Sequence, residues 1–485
     1  MGVVLKQSLK NVFTTYLGFL FGAVNTIFLY IELLPVEYYW LVTFILASYS
    51  VQRLLMAFGF HITMVKFYSN YAQSEQEGFL FLMLVIPLLG ILPLFLFFAF
   101  FQDLLGDLVS TINPVVRNYL WYVFLVGFAM AYFEVYYAWC KVHLKSVFGN
   151  FMKEVFGRLG VMLLLIFLYL DLFSLDVFFK LLVGLYVLRT IIIKLYTFQI
   201  SRPKLRYVVP GNIREVLSYS LLIILGGSAA SVLVEIDKVM INQFVKIENV
   251  AYYGVAVYIA TVIIVPSRAM HQITYPLTAE LLNRGDFFGL ETLYKKTSLT
   301  LFIASGILFL LILLNLEDLY LLLPETYRDG FYIVFLIGMA KVFDSLLGNN
   351  NSILYNSKYY RTLLLFGVGL AALTIVLNLF LIPAYGLEGA ALASFISICI
   401  FNVIKLVFVK LKFGILPFTK STFKVFATLL LLAVLFSVFT FDFHPVLNIL
   451  FKSTIIVVMY LGILYRFEIS EDISGILSKW LKKRE

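Results

Sequence analysis

Apolar segments of about 20 residues, each long enough to cross a bilayer core of about 30 Å, recur from the first decade of this 485-residue chain to the last. With 62% hydrophobic and 13% charged residues, the chain carries more apolar surface than a water-soluble core absorbs. About fourteen spans are expected, at roughly 11–34, 39–66, 79–101, 119–140, 155–171, 176–199, 214–241, 250–282, 291–315, 331–355, 361–383, 387–410, 421–441 and 447–466. Hydrocarbon offers no partner to a free backbone N–H or C=O, so the expected class is an all-α polytopic membrane protein. The first segment is too long for a signal-peptide core and lacks a small-residue cleavage site, so it is expected to remain as a helix. Cys140 and Cys399 both fall inside expected spans and the histidines are scattered, which argues against a disulfide framework and a zinc site.

In a soluble chain a net charge of +9 would point to nucleic acid, but here its distribution matters more. With the N-terminus inside, most of the 37 Lys and Arg fall on the inner side, Lys405 to Lys424 among them. Only Arg117, Lys180, Lys246, Arg328 and Lys452 fall outside. The positive-inside rule then places both termini in the cytoplasm. Outer loops are short and acidic, and no nucleic-acid partner is expected. The tail carries Ile473, Ile476, Leu477, Trp480 and Leu481 at helical spacing beside Lys479, Lys482, Lys483 and Arg484, a pattern for a membrane-surface helix.

Short matches recur at a shift of about 211 residues. Val36-Glu37-Tyr38-Tyr39 echoes Val250-Ala251-Tyr252-Tyr253, and Phe124-Leu125-Val126-Gly127 with Phe133-Glu134 echoes Phe335-Leu336-Ile337-Gly338 with Phe343-Asp344. Ile193-Lys194-Leu195 likewise matches Ile404-Lys405-Leu406. The expected organisation is two six-helix lobes in parallel repeat, 1–213 and 214–412, followed by 413–485 with two extra helices and a basic amphipathic tail.

Six cations lie within the expected spans: Arg53, Arg158, Arg189, Lys238, Arg268 and Lys341. A buried ammonium or guanidinium needs a partner or a polar cavity. Counting inward at about 1.5 Å per residue, Arg53 and Lys341 come near mid-membrane, with Glu134, Arg268 and Asp344 slightly further in. Arg53 and Arg268 hold nearly equivalent repeat positions, as do Glu134 and Asp344. Lys341 and Asp344 are i,i+3 neighbours placed to pair, while Arg268 and His271 share a face between Pro266 and Pro276, where a kink is expected. A mildly cationic, partly paired cavity suits an anion, because guanidinium forks match phosphate. Arg158 and Arg189 are expected to snorkel to the interface. The run Asn349-Asn350-Asn351-Ser352 either unwinds its helix or marks a frayed end.

On the seventh segment Ser228, Ser231, Glu235, Lys238 and Asn242 form a polar stripe, with Glu235 and Lys238 placed to pair and Asp237 on another face. Their depth near the outer surface makes Glu235, Asp237 and Lys238 expected gate or inter-helix residues rather than the central substrate site.

Two stretches carry a family resemblance: Glu235-Ile236-Asp237-Lys238-Val239-Met240-Ile241 with Val250-Ala251-Tyr252-Tyr253-Gly254, and Asn378-Leu379-Phe380-Leu381-Ile382-Pro383-Ala384-Tyr385-Gly386-Leu387-Glu388-Gly389-Ala390-Ala391. In the second, Pro383 and Gly386 make a turn between two spans, and Gly389, Ala390 and Ala391 let helices approach closely. With its length and helix count, the chain resembles the multidrug/oligosaccharidyl-lipid/polysaccharide (MOP) flippase superfamily, and within it the polysaccharide transporters of the O-antigen flippase (Wzx) type. The resemblance implies two lobes forming a V around a central cavity that opens alternately to either side. It further implies a bacterial inner-membrane flippase for an undecaprenyl-pyrophosphate-linked oligosaccharide, working beside other polysaccharide-assembly proteins and lipid. Arg53, Arg268 and Lys341, with Glu134, Asp344 and His271, are the expected substrate-binding residues. No cofactor is expected, although proton or sodium coupling through Glu134, Asp344 or Asp237 stays open. Rival readings are a lipid II flippase, a drug/cation antiporter of the same superfamily and, more remotely, a polytopic glycan polymerase. The polymerase lacks the large outer loop its catalytic groups would need.

Overall fold

The computed structural model of the chain describes residues 2–68, 71, 73–110, 114–143, 145–202, 211–245, 247–328, 330–439 and 443–470, with some side chains inside these ranges left out. The tail residues Ile473 to Arg484 lie outside them, as do Lys246 and the side chains of Arg53, Ser228, Ser231, Glu235 and Asn242. The described residues form an all-helical protein without a β-strand. Seven described helices are long and apolar enough to cross a bilayer, and the bent pair Phe331–Leu346 with Asn350–Asn356 brings the number to eight. Val36–Ser48 and Tyr252–Arg268 are shorter apolar helices. The chain is therefore a multi-pass membrane protein. Two compact units are present, one of Met1–Gly254 with Arg361–Ala390 and one of Val255–Tyr360 with Ala391–Glu485.

In the first unit the helix Leu120–Val142 is central: its core positions Val126, Phe133, Val135, Trp139 and Cys140 are fully buried. The aromatic and small residues on all of its sides let neighbours pack around it. That packing matters because helix association in lipid depends on close van der Waals fit and inter-helix hydrogen bonds. Two π-helical turns, Val24–Leu29 and Met152–Phe156, interrupt the first and fifth expected spans. A π turn leaves backbone groups without their usual partners. Near it, the Asn25 amide donates to the Arg158 carbonyl at 2.7 Å. Gly18 lies so close to the Glu154 carbonyl that an added Cβ would stand 2.4 Å from it.

The eleventh and twelfth expected spans form one 54-residue helical stretch, Tyr360–Phe413, broken at Gly386 with φ 57° and ψ −131°. A Cβ on Gly389 would stand 2.0 Å from the Leu381 carbonyl, so the chain doubles back here as Pro383 and Gly386 imply. Ala390 and Ala391 are fully buried.

The second unit is organised around Phe287–Leu314. On one side its Phe302 and Leu310 pack with Val425, Leu432, Ile456, Tyr460 and Leu464 of the C-terminal helices Lys420–Ser437 and Pro445–Arg466. Lys452, expected on the outer side, is 8% exposed and donates to the Leu314 carbonyl at 2.8 Å, where a cation meets the negative end of the helix dipole. On the other side Phe287–Leu314 meets a broken helix. Phe331–Leu346 and Asn350–Asn356 are bent by 57°, with Gly348 between them at φ +54°. The asparagine run therefore marks an internal break.

A residue with a Cβ at Gly348 would adopt a left-handed conformation costing about 1–2 kcal/mol and place that Cβ 2.7 Å from the Ser298 backbone nitrogen. Gly348→Ala is expected to lower the unfolding temperature of the purified protein. Gly184→Ala, in helix Leu175–Ile200 with nothing within 4 Å of the added Cβ, should be neutral or mildly stabilising.

Candidate functional site

The break at Gly348 exposes backbone groups that neighbouring helices must satisfy. Ser298 Oγ donates to the Leu346 carbonyl at 2.6 Å. Thr297 Oγ1 donates to Asn349 Oδ1 at 3.1 Å, and Asn349 Nδ2 donates in turn to Thr278 Oγ1 at 2.8 Å. Asn350 Nδ2 donates to Tyr294 Oη at 2.7 Å, and Ser267 bonds Ser345 at 2.9 Å. These residues are buried, so the break is a fixed feature held from Val265–Arg284 and Phe287–Leu314.

Charge gathers at this break. Lys405, on the helical stretch Tyr360–Phe413, donates to Asp344 Oδ1 at 3.4 Å and to Asn351 Oδ1 at 3.0 Å, and its ammonium stands 4.5 Å from the Phe401 ring centre. The Lys405 side chain is 1% exposed and that of Asp344 27%. Lys341, one turn before Asp344, and His271 lie within electrostatic range of the same carboxylate. Lys341 was the expected partner of Asp344 and lies within its electrostatic range, while Lys405, from another helix, makes a direct ion pair with the carboxylate. Arg268, one turn before His271 on Val265–Arg284, is exposed. The kink expected between Pro266 and Pro276 is absent: Val265–Arg284 is one continuous helix, with Pro266 in its first turn, and the irregularity is the 3-10 turn Val262–Ile264 that precedes it.

Four expected site residues, Arg268, His271, Lys341 and Asp344, thus belong to the second unit, with His271 and Lys341 in electrostatic range of the Asp344 carboxylate. Lys405 was missed because its place near the inner end of its segment made it one of the positive-inside lysines. Its repeat counterpart offers no warning: Lys194 is exposed, 5.6 Å from the Phe198 ring centre.

Glu134 sits elsewhere, in the first unit. It is 4% exposed and pairs with Lys153 Nζ at 2.6 Å, with Lys153 rising from the π turn Met152–Phe156. Arg189 lies on a neighbouring helix. Contrary to the expected snorkelling, Arg189 is 2% exposed and stacked on Phe133 at 4.1 Å and Tyr186 at 5.0 Å, with the Met130 sulfur as a further contact. Aromatic faces can stabilise a guanidinium by about 2 kcal/mol or more when it is desolvated, which makes burial an alternative to reaching water. Arg158 is a third exposed and pairs with Glu154 at 3.4 Å.

The two stretches that carry the family resemblance meet in the first unit. Asp237, 5% exposed, accepts from Tyr253 Oη at 3.1 Å and from Asn378 Nδ2 at 2.8 Å. One carboxylate thereby joins Ile213–Phe244, Ile247–Thr261 and the hairpin arm that contains Asn378. Lys238 is half-buried.

Asp237→Ala removes an acceptor shared by two donors, and an orphaned buried donor costs about 1–3 kcal/mol. A lowered unfolding temperature is expected, with Asp237→Asn closer to wild type because it keeps an acceptor oxygen. Thermal unfolding in detergent, followed by intrinsic fluorescence, checks both.

No family model matches the sequence, and no curated protein matches it either. Solved structures do. One is the lipid II flippase MurJ in an inward closed conformation, at 13% identity and a TM-score of 0.70, covering 96% of this chain and 100% of that one. Another is an inward-facing multidrug resistance MATE family transporter of the MOP superfamily, at 14% identity and 0.65, covering 84% and 98%. A third is a MOP superfamily transporter from Pyrococcus furiosus, at 13% identity and 0.59, covering 86% and 96%. At these identities the likeness is one of fold, and the fold of this chain is that of the MOP-superfamily flippases and transporters.

Proposed function

We propose that this chain is a flippase that moves an undecaprenyl-pyrophosphate-linked oligosaccharide, a repeat unit for O-antigen, capsule or exopolysaccharide, across the bacterial cytoplasmic membrane by alternating access. The observation that carries the reading is the charged cluster at the helix break of the second unit. Discontinuous membrane helices are where transporters hold their ligands, because broken backbone is tolerated only against protein or a water-filled cavity. Lys405 pairs with Asp344 there, and Lys341 and His271 lie within electrostatic range of the same carboxylate. Basic groups so gathered suit a pyrophosphate, with the polyprenyl tail left in lipid. Arg268 and Lys341 take the role of anion ligands, His271 and Asp344 line the site, and Arg53 keeps its expected role as an anion ligand. Glu134 is structural in the Lys153 pair or part of coupling. Glu235, Asp237 and Lys238 act at an outer gate. No bond is made or broken, so the protein is not an enzyme. Both termini face the cytoplasm, and membrane lipid and other polysaccharide-assembly proteins are its proposed partners.

A second reading takes lipid II as the cargo. It is favoured by the extent of the likeness to the lipid II flippase, 96% of this chain against 84% for the MATE transporter. The same difference weighs against a drug antiporter.

Reconstitution into vesicles with lipid-linked oligosaccharide in one arm and lipid II in the other separates the two, with leaflet exposure as the readout. Arg53→Ala, Arg268→Ala and Lys341→Ala together should slow flipping at least about tenfold, since a charge-assisted hydrogen bond contributes about 1.5–3 kcal/mol. Unchanged flipping would reject the site. Dissipating the proton and sodium gradients separately identifies the coupling ion.

A further inference from the structure

The second expected span is not one helix. Val36–Met56 ends in a turn over residues 57–59, and the chain resumes as Phe60–Phe67. Two residues make the break: Gly59 at φ +66° and Phe58, which carries a Cβ, at φ +49°. A left-handed backbone at a bulky residue is strained and persists only where its surroundings hold it. Here the Phe58 ring lies against Gly90 of Gln73–Phe100, where any added Cβ would overlap it.

Beyond the break, Phe60–Phe67 closes onto the start of Ile213–Phe244, all within the first unit. Thr63 Oγ1 donates to the Gly59 carbonyl at 3.2 Å and lies 2.7 Å from Ser220 Oγ, with both residues buried. One hydroxyl thus links the break to the facing helix. Lys66 Nζ stands 3.8 Å from the Tyr219 ring centre, and Tyr71 Oη donates to Asn212 Oδ1 at 2.7 Å. Phe60, Met64 and Phe67 share a buried apolar cluster with Val216 and Trp139. Trp139 Nε1 is buried there with no acceptor among the described residues. This seam lies on the side expected to face the cytoplasm, and it joins a helix expected in the first lobe to the helix expected to begin the second.

We propose that Phe58 and Gly59 form the hinge of an inner gate: Phe60–Phe67 swings about them away from the start of Ile213–Phe244, and the seam between the two is the closed state of that gate. The proposal rests on the alternating-access reading above.

Three physical points carry it. Hinges are a few residues at element ends that absorb a large change in φ and ψ, and returning Phe58 and Gly59 to right-handed helix would make residues 36–67 continuous. The polar contacts of the seam are hydroxyl, amide and phenol groups, whose partners water replaces when the seam parts. Parting also releases two costs of closure, the backbone strain at Phe58 and the orphaned indole N–H of Trp139, and this narrows the gap between the two states.

The test uses the full chain in lipid nanodiscs with Val216→Cys, a position fully buried in the seam, and follows its reaction with a charged maleimide. Cys140, fully buried in a different cluster with Phe133, Met152 and Ile193, is the control for general loosening. Position 216 is expected to react slowly and Cys140 more slowly still. Gly59→Ala penalises the left-handed residue and favours the helix, so it should speed the reaction at 216 at least about tenfold and leave Cys140 unchanged. Oxidising the pair Thr63→Cys with Ser220→Cys should nearly abolish the reaction at 216 and stop flipping, and reduction should restore both. The proposal is overturned if Gly59→Ala leaves the reaction at 216 unchanged or speeds Cys140 equally, or if the oxidised pair flips as fast as the reduced one. The reaction at 216 needs no substrate. A wild type that flips neither lipid-linked oligosaccharide nor lipid II therefore rejects the functional reading, while the hinge stands or falls on the labelling alone.

Discussion

Inside a bilayer a peptide group that loses its helical partner finds no water to replace it. Each departure from regular helix in this protein therefore has to be met by a side chain from a neighbour, and those side chains decide which helices stand together. At Gly348 Ser298 meets the Leu346 carbonyl, and Thr297, Asn349 and Thr278 join the surrounding helices through their side chains. In the first unit, beside the π turns, the work falls to Asn25 reaching the Arg158 carbonyl and to Asn150 reaching the Asn11 carbonyl and Thr14. The polar residues of so apolar a chain are thus concentrated where helices are irregular, and the irregular places are where charge can be kept.

The two ion pairs are built differently. Short sequence matches align Glu134 with Asp344, and each is paired with a lysine. The lysines do not match. Lys153 comes from the helix after the fold's central Leu120–Val142, whereas Lys405 comes from a helix whose counterpart, Lys194, is exposed. A carboxylate at that depth needs a cation, but the requirement is on charge and reach, and a flexible lysine stem satisfies it from more than one helix. The result is one pair tucked beside a π turn and another spanning a helix break. The second lies within electrostatic range of Lys341 and His271 as well.

Asp237 plays a related role with neutral partners. Tyr253 and Asn378 both donate to it, so a single carboxylate ties together segments more than a hundred residues apart in the chain. These contacts give the two stretches of family resemblance a physical reason: they carry the donors and the acceptor of one inter-helix junction.

Much of the fold was legible in the sequence because its signals are local. Apolar length predicts spans, Pro383 with Gly386 predicts the doubling back of the chain, and the asparagine run an interruption, each acting on the backbone within a few residues. Arg268, His271, Lys341 and Asp344 could be nominated for the same reason, as polar groups at depths that need explaining. The choice of partner was not legible. Lys405 read as an inner-surface lysine, Lys452 as an outer one and Arg189 as a snorkelling one, yet all three are buried against acceptors or aromatic faces supplied by distant segments. Periodicity tells which face of a helix a residue occupies, but a long cation stays inside the protein or reaches out to water according to what the neighbouring helix places opposite it. That pairing exists only once the helices are packed.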